Sequence, residues 1–565
     1  MDKLSMGVDL GSTYSCFTVY DPAEDNAYTK TDKEGTGGSV PSLVCIDDCG
    51  DFLYGKDAKE QQFMPDVRLF RTFKMLLPEA HEEILKKWNY DSVYTPQIIT
   101  QNFLDYYLKS IAKRELGTEA FIEQLVICAP EVWSNSDDMR DGRPLLKDIC
   151  SSLRYVKNVR VVSEPAAAAA YYAYNYIKES GQPYDGYILI IDYGGGTLDI
   201  TLTDVKSTLQ ADGTTTTEVQ IMASVGAGEN QKNGKVGDAG IAYMQELCAE
   251  ALRSAGKLPE NQQPDEEKTK KLFGQMETKL LQEKTISTID TNLALDPDAF
   301  AHSTQAIFKV SYDGAVIEVT GELLNKAYER VIQPVLDKQL DAMIEIIERW
   351  KGFGKHKQRG LENYTKWKTD NFKIALVGGF GSFGLVEKQV EDKFGFTGAD
   401  HRKYEVSAEK KECAVALGAG LIAGGVIQII YTADRSLGIQ SISDGKIVYD
   451  WAFQCHEELT PGEVYFIRHE DGTPITYYNP DGKIESFAFA RQDGKPSMLP
   501  LKKELQEKLA HLPSDESQYG FSLDHSGVYY FHVLARNSEG EFERFGEPIR
   551  LDQANRFCSG LHQLG

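Results

Sequence analysis

The sequence predicts an α/β protein with a repeated strand–glycine turn–strand unit, followed by a smaller, mainly-β part. Three observations predict it. A glycine hairpin with an acid at its mouth occurs twice, in GVDLGSTYSCFTVYD (7–21) and LIIDYGGGTLDITLTDV (189–205). A third glycine-rich turn, in NFKIALVGGFGSFGLVEKQVEDKF (371–394), joins a strand to a helix instead. Beyond residue 432 the pattern breaks into short alternating runs separated by turns. The 565 residues are too many for one hydrophobic core, and two to four domains is the expectation.

The second hairpin is the more explicit. Four apolar residues run into Asp192, then Gly194, Gly195, Gly196 and Thr197, and then Leu198, Ile200 and Leu202 alternate with Asp199, Thr201 and Thr203. Alternation after a turn is a strand signal, so no helix follows these glycines. That excludes a Walker loop and a dinucleotide fingerprint, both of which open a helix. Glycines in a hairpin still let backbone N–H groups converge on an anion. The acid at the strand end can hold a magnesium ion that the phosphates share, usually through water. The first hairpin repeats the plan with Asp9, Gly11, Ser12, Thr13 and Tyr14. Alone, each is an ordinary tight turn. Facing each other, the two would clamp a polyphosphate, with Asp9 and Asp192 sharing the metal, because a carboxylate at a strand end is costly unless paired or metal-linked.

The third turn, with Gly378, Gly379, Gly381 and Gly384, precedes apolar positions at helical spacing (Leu385, Val386, Val390, Phe394). It suits close approach to a base or ribose, or is simply a strand-to-helix turn. The apolar run AVALGAGLIAGGVIQII (414–430) sits at the short edge for a bilayer span and reads as a buried, closely packed helix. The formal charge of −24 disfavours a nucleic-acid partner. Nine cysteines lack metal-site spacing and read as small core hydrophobes in a reducing compartment. MDKLSMGVDL enters a strand without a signal-like segment, so the expected location is cytoplasmic and no membrane partner is expected.

Asp-Gly pairs at 471–472, 481–482 and 493–494 mark tight turns in the C-terminal part. LPLKKELQEKLAHLP (499–513) is its one helical stretch. The division expected is a larger unit over 1–431 and a compact β-domain over 432–565.

The three glycine motifs in this order resemble the actin-like ATPase superfamily, and within it the 70-kDa heat-shock (DnaK-like) chaperones. VVSEPAAAAAYYAYNY (161–176) is similar to the family's connecting segment and crossing helix, LVICAPEVW (125–133) to its strand ending in proline, and ECAVALGAGLIAG (412–424) to its final helix. IEVTGELLNKAYERVIQPVLDKQLDAM (317–343) is similar to its long helical segment. The resemblance covers about residues 4–430. It implies a two-lobed fold of duplicated ribonuclease-H-like subdomains, with lobes of about 1–180 and 181–431, that binds ATP or ADP with Mg²⁺ and hydrolyses ATP. It implies that Asp9 and Asp192 are metal-side acids. Gly11–Tyr14 would be the first phosphate hairpin; Gly194–Gly196, Thr197 and Asp199 would be the second. Glu164 would stand near the attacking water, and Lys74, in LFRTFKMLLP, would meet the γ-phosphate. Gly378, Gly379, Phe380 and Ser382 would face the adenosine.

The sequence departs from that family in three places. Ser382 stands where the family usually carries a base-stacking arginine, leaving Phe380 or Phe383 as substitutes. In QMETKLLQEKTIST (275–288) the adenosine-side pair is undecided among Glu277, Lys279, Glu283 and Lys284. The linker is shortened and the family's helical lid is not expected, so the β-domain binds an extended protein segment by strand addition, or a protein partner, or nothing. A basic insertion (351–373) reads as a solvated loop, and KVGDAGIAYM (235–244) only partly resembles a further family motif. Three functions compete: a chaperone-like ATPase whose nucleotide state modulates protein binding, a nucleotide-sensing interaction protein with little turnover, and an actin-like or sugar-kinase-like enzyme.

Overall fold

A computed structural model describes residues 4–551 apart from 34–37, 63, 65–66, 80, 118–120, 134–140, 210–214, 228–239, 351–371, 395–407, 444–445, 456, 479–485, 491–494, 502, 510 and 513–514. The basic insertion up to 371, residues 235–239 and the Asp-Gly pairs at 481–482 and 493–494 lie outside the described residues.

Two sheets repeat one plan. In the first, Leu4–Asp9 lies between its antiparallel hairpin partner Tyr14–Asp21 and the parallel strand Ile122–Ala129; Asn26–Lys30 and Val156–Ser163 complete the row. In the second, Asp185–Tyr193 lies between its antiparallel partner Leu198–Leu209 and the parallel strand Phe372–Val377, with Thr215–Ala227 beyond the hairpin. Each central strand therefore ends in a glycine turn at the same corner of its sheet. Helices add to both sheets: Pro96–Leu116, capped by the Thr95 side chain on the Ile98 N–H, covers the first, and Gly240–Ser254, Glu266–Leu280, Gly321–Val331 and Gln333–Trp350 build the core beside the second.

Small residues join the halves. The helix Glu164–Ser180 starts on Pro165, whose fixed φ suits the first turn, and stops at Gly181 in the left-handed conformation. Its alanines share one buried cluster with Cys413–Leu417 of the helix Ala408–Gly424. A Cβ on Gly418 would lie 1.8 Å from the Ala167 carbonyl oxygen, so only glycine permits this crossing. The Thr18 hydroxyl donates to the Ala416 carbonyl (2.7 Å), tying the same helix to the first hairpin.

Two sequence expectations need correction. Residues 414–430 are not one helix: Ala408–Gly424 ends at Gly425, with φ +81°, and Ile427–Thr432 is a strand. That strand is β-branched and pairs in parallel with Thr217–Gln220, an edge that outcompetes helix continuation. The expected helix over 499–513 is only Lys503–Leu509, because Pro496–Pro500 pairs with Ser486–Ala490. The polar face of Leu198–Leu209 is also buried. Thr201 bonds Ser224 (2.9 Å) and the Thr203 hydroxyl donates to the Ile188 carbonyl (2.8 Å), so the threonines serve as satisfied core polar groups.

The C-terminal strands form two sheets, Lys446–Phe453/Ser436–Ser443/Ser486–Ala490/Pro496–Pro500 and one centred on Glu516–Leu523 and Tyr529–Arg536. Leu437, Ile439, Phe487 and Phe489 meet Tyr519, Phe521, Phe531 and Val533 in one core, with the Phe487 and Phe531 rings 4.5 Å apart. Gly472 turns at φ +85° after Asp471, as the Asp-Gly pattern predicts. Six described cysteines are buried and Cys49 is exposed. Among the described residues, no helix is long and apolar enough to cross a membrane.

Candidate active site

The two glycine turns meet. In the first, the Gly11 carbonyl accepts from the Ser42 hydroxyl (2.7 Å) and the Thr13 carbonyl from the Ser42 N–H (2.8 Å). In the second, Asp192 pairs with Asp199 and the Gly194 N–H donates to the Thr197 carbonyl (3.0 Å). A Cβ on Gly195 would lie 2.1 Å from the Thr13 hydroxyl oxygen, and one on Gly196 2.8 Å from that of Ser12. The close apposition of the hairpins thus requires glycine on one side.

The third turn closes the corner. The N–H groups of Phe380 and Gly381 both donate to the Tyr193 carbonyl (3.0 and 2.8 Å). Gly378 sits at φ +80°, where a Cβ would approach the Asp192 carboxylate oxygen within 2.7 Å. The helix Gly240–Ser254 starts against the second hairpin, with the Ile241 N–H on the Gly195 carbonyl (2.9 Å).

Between these elements lies a cavity of about 160 Å³. Asp9, Gly11, Ser12, Thr13, Tyr14, Lys74, Glu164, Asp192, Gly194, Gly195, Thr197, Gly378, Gly379 and Phe380 all line it. Residues predicted from five distant segments are therefore brought together. Gly196 packs on Ser12 rather than lining the space, and Asp199, the strand partner of Asp192, does not line it either. Ser382 does not line it. Phe383 does not either; it stacks behind Phe380 at 5.3 Å. Of the undecided residues on the helix Glu266–Leu280 and after it, Glu277 reaches the cavity and Lys279, Glu283 and Lys284 do not. Met244, Ile241, Phe273, Leu280 and Leu281 also line it. Sequence reasoning missed these, because an apolar side chain at helical spacing gives the same signal whether it meets core or cleft.

The electrostatics are those of a cation site. Lys74, 2% exposed, is ion-paired to the equally buried Glu164. Burial works to lower the Lys74 ammonium, but Glu164, Asp9 and Asp192 outweigh it and hold the group above the ordinary lysine value. Burial, then the Glu164 carboxylate, pushes Asp9 up to about 7. Burial, Glu164 and Asp9 push Asp192 well above the carboxylate range, and burial raises Asp199 likewise. One buried lysine does not balance these acids, and a divalent cation would. The Thr13 hydroxyl is buried on the cavity wall without a hydrogen-bond partner, and it fits a phosphate oxygen.

Two sheets of one plan, with paired glycine hairpins opening on a shared acidic cavity, define an actin-like ATPase fold, here carrying a mainly-β C-terminal part. Residues 5–218 match the family model described as Hsp70 protein. The match supports, in general terms, an ATP-binding chaperone-like protein.

Proposed function

We propose that the chain hydrolyses ATP in the cleft between its hairpins, and that the nucleotide state of an actin-like unit (1–431) modulates protein binding by the β-domain (432–565). The observation that carries the reading is the buried Lys74–Glu164 pair, set between Asp9 and Asp192 where both glycine turns meet. Phosphoryl transfer to water asks little covalent help from a protein; positioning and charge do the work. Bound Mg²⁺ supplies charge neutralisation at the phosphate oxygens. The Thr13 hydroxyl and the glycine N–H groups hold phosphate oxygens in place. Lys74 stays protonated and meets the negative charge that develops as the γ-phosphoryl group leaves. Glu164, fixed by Lys74 at the start of its helix, orients the attacking water. Asp9 and Asp192, at the ends of the two central strands, would hold that cation.

The test is phosphate release from Mg·ATP by the full chain, with Asp192→Asn beside it. Expected is turnover that the variant loses by at least a hundredfold. Binding of Mg·ATP without turnover would replace this reading with that of a nucleotide sensor, and turnover unchanged in Asp192→Asn would remove the assigned site.

A further inference from the structure

The base end of the cleft differs in character from the phosphate end. Its walls are Met244 on the helix Gly240–Ser254, Phe273 and Leu280 on the helix Glu266–Leu280, then Leu281, and Phe380 on the third turn. Leu281 is 48% exposed, an apolar side chain left at the rim with no core to enter, whereas Leu280 is 6% exposed. Phe380 is held rigidly. Phe383 stacks on it, the Tyr193 ring meets it edge-on at 5.2 Å, and Tyr243 lies 5.3 Å away. Besides Asp9, Glu164 and Asp192, the carboxylates on the cavity wall are Glu277, which pairs with Lys59 at 3.8 Å, and Glu412, which accepts from the Ser39 hydroxyl beside the first hairpin. Ser382, the polar side chain of the turn, is not on the wall.

A site that reads a base by its edge places donors and acceptors there; an analogue that mismatches them is then rejected strongly, whereas an apolar pocket discriminates weakly. Building on the nucleotide-site reading above, we propose that this base end is an apolar slot that holds a purine by burial of its faces and does not read its edge. Met244, Leu280, Leu281 and Phe380 are then the specificity-determining residues, and their specificity is for ring area. ATP and GTP are accepted alike. A pyrimidine nucleotide, with less ring to bury, binds less tightly.

Calorimetric titration of the full chain with Mg·ATP, Mg·GTP and Mg·UTP tests this. Expected are ATP and GTP affinities within about tenfold of each other, UTP about tenfold weaker than either, and Leu281→Ser weakening both purines by a similar factor of about five. Leu281 is exposed, so this variant keeps the fold; Phe380→Leu gives a second reading at the opposite wall. ATP favoured over GTP by more than a hundredfold would overturn the slot while leaving the nucleotide site standing. So would purine affinities unchanged in both variants. No binding of any of the three nucleotides would overturn the nucleotide-site reading and the slot together.

Discussion

Lys74 concentrates the physics of the site in one side chain. It is the one cation among Lys74, Asp9, Glu164 and Asp192, and all four are buried or line one cavity. Removing one partner of a buried ion pair leaves an uncompensated charge, at about 3–5 kcal/mol. Lys74→Ala is therefore expected to lower the stability of the nucleotide-free chain by about that amount, to abolish phosphate release and to spare Mg·ATP binding. Thermal melting with and without Mg·ATP, beside a phosphate-release assay, checks it. A variant that melts with the parent, or still releases phosphate, would take Lys74 out of the site. The carboxylates at strand ends and the glycines beside them were legible in the sequence, because few structures ask for an acid, glycines and a threonine between two strands. Which glutamate of 277–283 faces the cleft was not legible, since helix orientation is set by tertiary packing that residue types alone do not encode.

At the scale of elements, both hairpins, the alanine-rich crossing helix and the glycine turn that opens a helix at 384 were readable, each having both a period and a terminator. The strand Ile427–Thr432 was not: seventeen nearly unbroken apolar residues carry no period, and the division falls where a vacant edge at Thr217–Gln220 recruits the second half. The strands Glu516–Leu523 and Tyr529–Arg536 contain a less visible feature. His532 is 6% exposed; its Nε2 lies 2.7 Å from the Ser522 hydroxyl, and Arg544 approaches its Nδ1 at 3.4 Å. Arginine can only donate, so Nδ1 accepts and the Nε2 proton is given to Ser522. Burial, and secondarily Arg544, lower this imidazole from the usual 6.5 to about 4. Between those values the unfolded chain takes up a proton that the folded chain refuses. This contribution to stability is thus full above pH 6.5 and declines as pH falls toward 4. Melting temperatures recorded across that window should fall more steeply for the parent than for His532→Gln. Parallel curves would mean that His532 does not titrate differently on folding.

For the whole molecule, the question is whether the β-domain is a tethered module or part of one body. The strand Ile427–Thr432 pairs on one side with Thr217–Gln220 and, through Tyr431 and Thr432, with Leu459 and Glu458, so the second lobe's sheet runs into the C-terminal part. Around this joint the Val161 N–H donates to the Ser526 hydroxyl (3.1 Å), Lys147 pairs with Asp524 (2.5 Å) and Arg550 with Asp148 (2.8 Å). At its centre Asp434 accepts from Arg143 (3.2 Å), Arg435 (2.8 Å) and the Tyr529 hydroxyl (2.8 Å). Burial works against the Asp434 charge, but Arg435 and Arg143 outweigh it and hold the carboxyl well below the usual carboxylate range. Its stabilisation is therefore present above the unfolded value of 3.8 and is lost as pH falls below it. Asp434 thus ties Arg143, on the helix Arg143–Ser151, to Arg435 and Tyr529 of the C-terminal part as a clasp, and its removal takes a buried carboxylate partner from both guanidinium groups while Arg143 keeps Asp141. Asp434→Ala should cost about 3–5 kcal/mol and convert one calorimetric transition into two, the second belonging to a β-domain that no longer responds to Mg·ATP. If the parent already melts in two steps, with the C-terminal step indifferent to nucleotide, the joint transmits nothing and the two parts act independently. If the parent melts once and Mg·ATP raises that single transition, nucleotide binding in the cleft is felt across the shared sheet by the C-terminal part.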